Sequence, residues 1–223
     1  MKKIILAFLL SAISASMVLA AQSSSFYFTS ALLQSIYKFN EAHQVMSKSL
    51  DREDKAIALR EMEKSISLMN EAKNIIRPWI SESDDRIKRP ASAIDQGLDV
   101  FIADAKTALS FVERANRGET VGEDEGIDYA VEGEKREDAA YLNMGSEIAK
   151  YDPQGLSNSE RRKLLLRIFV LFDKDLKKYR FHPTEVTEVT IGISALESRL
   201  EGKKVEENPY FKMLIDGEPP FKK

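Results

Sequence analysis

The stretch TSALLQSIYKFNEAHQVMSKSL, Thr29 to Leu50, decides the fold. Leu32, Ile36, Phe39, His43, Met46 and Leu50 recur alternately four and three apart, which is a heptad seam on one face of a helix. His43, one of two histidines in the chain, is therefore expected inside a buried seam. Three roles are open to it: a ligand, a proton switch whose protonation strains the bundle as pH falls, or a packed side chain with a polar handle. The last is the reading adopted, because a lone histidine on an apolar face is most often a hydrogen-bonded core residue.

Working outward, Asp51 and Asp54 mark a turn, and Leu59, Met62, Ile66, Met69, Ile76 and Ile80 give a second seam interrupted by Lys73. So short a link makes the two helices antiparallel. Pro78 and Pro90 frame a charged corner, so the second helix is expected to end near Arg77 and a third to begin near Pro90. Trp79 reads as a plug for the end of the bundle, with an aromatic partner anchor as its sharper alternative. Ile94, Leu98, Phe101, Ala105, Ala108, Val112 and Ala115 continue the pattern, and Gly118 stands where a helix stops.

Residues 118–135, GETVGEDEGIDYAVEGEK, change the composition to glycine and acid and read as a loop, followed by a short helix over Asp138–Lys150. The acids do not fit the regular calcium loop: with Gly126 at the sixth position Val121 is first, and with Gly133 there Ala130 is third and Ala139 last. A solvated acidic loop is expected, with loose, irregular calcium binding by Glu123, Asp124, Glu125 and Asp128 as the alternative. Ser157 and Glu160 form a capping-box pattern that opens a fourth long helix. From Leu164 to Phe172 that helix is apolar on nearly every side, which predicts burial on several faces; the alternative is an exposed contact for another molecule. Pro183 suits the first position of a fifth helix carrying Val186, Val189, Ile193, Leu196 and Leu200. The tail, with Pro209, Tyr210, Phe211, Pro219, Pro220 and Phe221, either straps onto the bundle or stays loose.

The expected fold class is all-α: an antiparallel bundle of four to five long helices with an acidic inter-helix loop and an irregular C-terminal tail. Its parts are a signal peptide (1–20), a three-helix N-terminal part (21–117), the acidic Gly-rich loop with its short helix (118–156), two C-terminal helices of the same bundle (157–201) and the Pro/aromatic tail (202–223). The signal peptide rests on Lys2 and Lys3, the apolar run from Ile4, and the Val18-Leu19-Ala20 cleavage pattern. An uncleaved anchor is the other reading, disfavoured by Ser11, Ser14 and Ser16. Removing residues 1–20 takes away two lysines, so the net charge moves from −3 to 31 − 36 = −5.

A mildly acidic chain without a basic stripe argues against a nucleic-acid partner. No cysteine is present, which excludes disulfides, thiolate metal sites and covalent haem attachment. The two histidines are 182 − 43 = 139 positions apart, and Asn40 and Tyr179 stand three residues before them, so neither a zinc-protease pair nor a di-iron bundle motif exists. No G-x-S-x-G elbow, P-loop or dinucleotide fingerprint occurs. The sharpest cofactor hypothesis is a non-covalent haem held by His43 and a methionine of another helix, Met62 or Met69; Met46 projects from the same helix face as His43 and cannot approach the iron from the opposite side.

These readings converge on an exported, periplasmic or secreted, non-enzymatic bundle that meets an unknown protein partner in the bacterial envelope or outside the cell. No cofactor, no nucleic acid and no membrane span after signal cleavage are expected. Partner-binding candidates are Trp79, Tyr210 and Phe211. The alternative is a periplasmic binder of haem, a metal or a small apolar molecule at His43, Met62 and Met69.

Overall fold

The structure is a computed structural model that describes the backbone of residues 2–119 and 122–221 and the side chains of residues 24–119, 122, 126 and 128–221. It is all-helical among the described residues. The helices are α1 (Lys2–Leu50), α2 (Lys55–Ile76), α3 (Asp85–Asn116), α4 (Glu123–Lys150), α5 (Asn158–Phe181), α6 (Glu188–Leu200) and α7 (Pro209–Ile215). Residues 2–20, the expected signal peptide, are helical and continuous with the rest of α1, and their side chains lie outside the described residues.

α1 and α2 form the antiparallel hairpin that their seams predict. Leu32, Ile36 and Phe39 are buried against Met69, Ala72 and Ile76. Two serines fix the register: Ser35 Oγ donates to the Ala72 carbonyl at 2.9 Å and Ser65 Oγ to the Ala42 carbonyl at 2.8 Å. Asp54 starts α2 by accepting from the Ala56 and Ile57 amides. Lys73, the polar interruption of the second seam, is buried and reaches Asp95 and Asp99 of α3. The second helix ends at Arg77, as Pro78 demands, in a single 3₁₀ turn. Trp79 is half-buried, its ring edge-on to Phe28 at 5.5 Å.

The third helix begins five residues before the expected Pro90, because Asp84 caps it by accepting from the Arg86 amide. Pro90 then sits inside α3 as its sixth residue, where it lacks the N–H that would reach the Arg86 carbonyl. The stop is as expected: Gly118 takes φ +78°, its amide reaches the Ala115 carbonyl and the Glu119 amide the Arg114 carbonyl.

The acidic loop expected over 118–135 is corrected by the structure: the chain is helical from Glu123, and the predicted short helix is only the end of a 28-residue α4. Acidic residues at a helix N-terminus oppose its positive pole favourably, which offsets the helix-weakening glycines. Tertiary contacts add to this. The Tyr129 hydroxyl donates to the Asp104 carbonyl, its ring meets Phe111 at 5.3 Å, and Arg136 Nη2 lies 2.7 Å from Asp104 Oδ1. The loop carboxylates Glu123, Asp124 and Glu125, weighed for calcium, lie outside the described side chains; Asp128 is exposed.

α5 opens with the expected capping box, Ser157 N–H donating to Glu160 Oε2 at 2.8 Å and the Glu160 amide to Ser157 Oγ at 3.3 Å. The fifth long helix does not begin at Pro183. Pro183–Glu185 form a 3₁₀ turn, the β-branched Val186 is extended, and α6 starts at Glu188 behind a Thr187 cap. The tail straps onto the bundle and is partly regular: Asn208 caps α7, and Phe211 stacks on Tyr179 with centroids 6.1 Å apart. One core runs from Phe28 through α6 to Leu200, and a second, smaller cluster built on Ala149, Tyr179, Ile191, Phe211 and Leu214 seals the C-terminal end. Among the described residues, no helix is long and apolar enough to cross a membrane.

Candidate functional site

Two features outside the core bear on function. The first is the surroundings of His43. The histidine expected in a buried seam is exposed, as are Ser47, Lys48 and Leu50 beyond it, so the seam opens toward the tip of the α1/α2 hairpin. The α4 residue that reaches this end of the seam, Tyr141, rests on Phe39 and Phe101 at 5.9 and 4.7 Å and meets the edge of the His43 ring at 6.4 Å. Its hydroxyl is 3.5 Å from His43 Nδ1. Crowding by these rings lowers the His43 pKa, since the cation would be poorly hydrated.

Beside His43 lies a cleft of about 450 Å³ between α1, α2, α3 and α4, with Met46, Met69, Phe101, Asp104, Tyr129 and Glu137 in its wall. Volumes of this order take small molecules. Burial raises the Glu137 pKa, the nearby Asp104 carboxylate adding to the effect, and burial pushes Tyr129 up to about 12. Asp104 Oδ2 is buried without a hydrogen-bond partner. Of the two methionines proposed as partners for His43, only Met69 lines this cleft; Met62 is buried in the hairpin. Among the described residues, no group of three His, Cys, Asp or Glu stands together as a metal site.

The second feature is the outward face of α5, and here the expectation of burial on several faces is corrected. Only one stripe, Leu164, Ile168, Phe172, Leu176 and Tyr179, enters the core. Leu166, Phe169, Val170 and Phe181 are 63, 61, 69 and 76% exposed. At 100° per residue all four fall within about 60° of Leu166 on one side of the helix. Arg162, Lys163, Lys174 and Lys177, all exposed, share that side. Lys177 pairs with Asp173 at 2.7 Å, whereas Arg162, Lys163 and Lys174 have no ion pair among the described residues. The inner side of α5 is fixed to α1: Arg167 donates to Ser30 Oγ at 2.8 Å and to Gln34 Oε1 at 2.7 Å, and Tyr37 lies edge-on to Phe172.

The periodicity separates these two faces: positions 164, 168, 172 and 176 repeat every four residues, Leu166 and Val170 fall on the far side of the helix from that stripe, and Phe169 lies on its flank between the two. The charge pattern is equally legible. α5 carries eight Lys/Arg and three Asp/Glu, so its +5 contrasts with −8 for the rest of a chain whose total is −3.

The aromatic candidates are placed as follows. Trp79 packs on Phe28, Phe211 is buried against Tyr179, and Tyr210 is half-buried beside Phe221 at 5.2 Å. They lie apart from the α5 ridge in sequence and serve packing at two ends of the bundle. No protein-family model, curated protein or solved structure matches the chain.

Proposed function

We propose that this protein is an exported, non-enzymatic helical bundle that docks onto a component of the bacterial envelope through the outward face of α5. The observation that carries the reading is the cluster Leu166, Phe169 and Val170, exposed on a helix whose other side is rigidly packed. Each such side chain gains about 1.5–3 kcal/mol when buried. A contiguous set left in water, with cations around it, is the pattern of a surface held open for contact. Export rests on the amino-terminal basic and apolar run, and the non-enzymatic reading on the absence of a recognisable catalytic motif in the sequence.

The test is fractionation of cells producing the wild type or the Leu166→Ser, Phe169→Ser, Val170→Ser variant, following the processed chain that begins at Ala21. Wild type is expected to sediment with the envelope, and the variant to stay soluble with an undiminished melting temperature. Equal sedimentation of the two would refute docking through α5.

The cleft beside His43 supports a second reading, a small-ligand binder. Its apolar wall and the unpartnered Asp104 oxygen favour a ligand with an apolar body and a cationic group. Excess mass on native protein purified without added ligand, lost in an Ala105→Trp variant that fills the wall, is the result this reading expects.

A further inference from the structure

We infer that the occupant of the α5 face is the surface of an anionic phospholipid bilayer, an inference that rests on the docking reading above and names its partner. Three properties of the face point there. First, it is a convex ridge: Leu166, Phe169, Val170 and Phe181 stand outward along about 22 Å of one helix, the shape of a helix lying in an interface plane.

Second, the cations are distributed along the ridge. Arg162 and Lys163 precede its apolar centre and Lys174 follows it, so each can lay its aliphatic stem beside the apolar stripe and extend its charge to headgroup phosphates; Lys177 lies further along, paired at 2.7 Å with Asp173 of the same side, which leaves the face with a net positive charge. Third, the charge rejects the nearest alternative. Two copies of this chain meeting face to face through α5 would oppose two +5 helices, a like-charge arrangement that disfavours a two-fold interface. An anionic leaflet is complementary and attracts the same four side chains within a Debye length.

The absence of cysteine in the chain makes the test direct, because one introduced cysteine is the only labelling site. An environment-sensitive fluorophore is placed on the full chain at Val170→Cys and, as a control, at the exposed Glu63→Cys on α2. Each is titrated with vesicles of phosphatidylcholine alone or with one third phosphatidylglycerol. The position-170 label is expected to shift to the blue with the anionic vesicles, with apparent affinity on the order of 100-fold tighter than for the zwitterionic ones. The shift is expected to vanish in 1 M salt and in the Arg162→Glu, Lys163→Glu, Lys174→Glu, Lys177→Glu variant, while the position-63 label stays unchanged.

No shift at position 170, an equal shift with both vesicles, or a shift indifferent to charge reversal overturns the proposal. So does a shift that grows with protein concentration alone, which would assign the face to a second copy. A lipid failure combined with loss of envelope sedimentation in the polar variant would overturn the lipid as partner and leave docking through α5 standing, whereas failure of both removes the docking reading itself.

Discussion

Gly145 of α4 and Gly192 of α6 cross in contact: a Cβ on Gly192 would stand 2.7 Å from the Gly145 carbonyl oxygen and 3.2 Å from its Cα. A Cβ on Gly145 would meet the Glu188 carbonyl oxygen at 2.4 Å. The two helices approach so closely because neither has a side chain at the crossing. This contact seats α6 in the core and sets the position of everything C-terminal to it.

Gly192→Ala is therefore expected to destabilise the protein by about 1–3 kcal/mol, the usual cost of overpacking, despite alanine's better helix propensity. That corresponds to a melting temperature lower by roughly 2–12 °C for a chain of this size. Gly126→Ala in the same α4 is the counter-case. Its Cβ would meet nothing within 4 Å, and the substitution is expected to stabilise by about 0.5–1 kcal/mol. Thermal melts of the two variants with opposite signs check the crossing.

Lys73 holds two carboxylates of α3 from within the α2 seam, its Nζ 3.3 Å from Asp95 Oδ2 and in contact with Asp99. Lys73→Ala removes the cation and leaves Asp95, largely shielded from solvent, without its partner. The expected loss is about 1–3 kcal/mol, less than for a fully buried pair because Asp99 is mostly exposed. Double substitution Lys73→Met, Asp95→Leu is expected to recover most of it in urea denaturation.

Ser157→Ala removes the side-chain oxygen that accepts from the Glu160 amide at the start of α5. The helix and its ridge are expected to remain, at a cost of about 0.5–2 kcal/mol. Glu160, held below its ordinary pKa by the Ser157 hydroxyl and amide, makes part of this stability pH-dependent: it is present above the unfolded carboxyl pKa and lost as pH falls through the lowered folded one. Stability measured from pH 6 to pH 3 is expected to fall less in Ser157→Ala than in wild type.

His43 has the opposite charge type and the same pH direction. Its pKa is lowered in the fold by crowding, so the unfolded chain binds the proton first. Stability from this group is complete above the ordinary histidine pKa and declines as pH falls through it toward the lower folded value. Asp104, Glu134, Glu137, Asp175, Lys178 and Glu185 line the two clefts that adjoin the ring, and desolvation of Glu137 and Asp175 acts in the opposite sense at lower pH. His43→Gln is expected to flatten the difference in melting temperature between pH 7.5 and pH 5.5; an unaltered difference would remove His43 as its source.

Much of the fold was legible because the heptad seams of α1 to α3 are regular and their ends carry explicit signals, such as Asp54, Pro78 and Gly118. The N-terminal half of α4 was not, because local composition there opposes the helix. It forms through Tyr129 and Arg136 meeting Asp104, a residue 25 to 32 positions away that no local reading connects. His43 was misplaced for a related reason: a seam continues in sequence beyond the last helix that covers it in space. The α5 ridge was present in the 3.6-residue period, but the density of apolar residues from Leu164 to Phe172 hid the fact that two opposite faces, and not one, were apolar.

Docking through α5 requires that the ridge be occupied in the cell. The most direct measurement is photo-crosslinking in living cells from a benzophenone amino acid placed at Val170, with Glu63 as the control position, followed by intact mass of the purified product. An adduct carrying the mass of a phospholipid is expected at position 170, and none at position 63. An unmodified chain at both positions, or equal adducts at both, would contradict docking through α5.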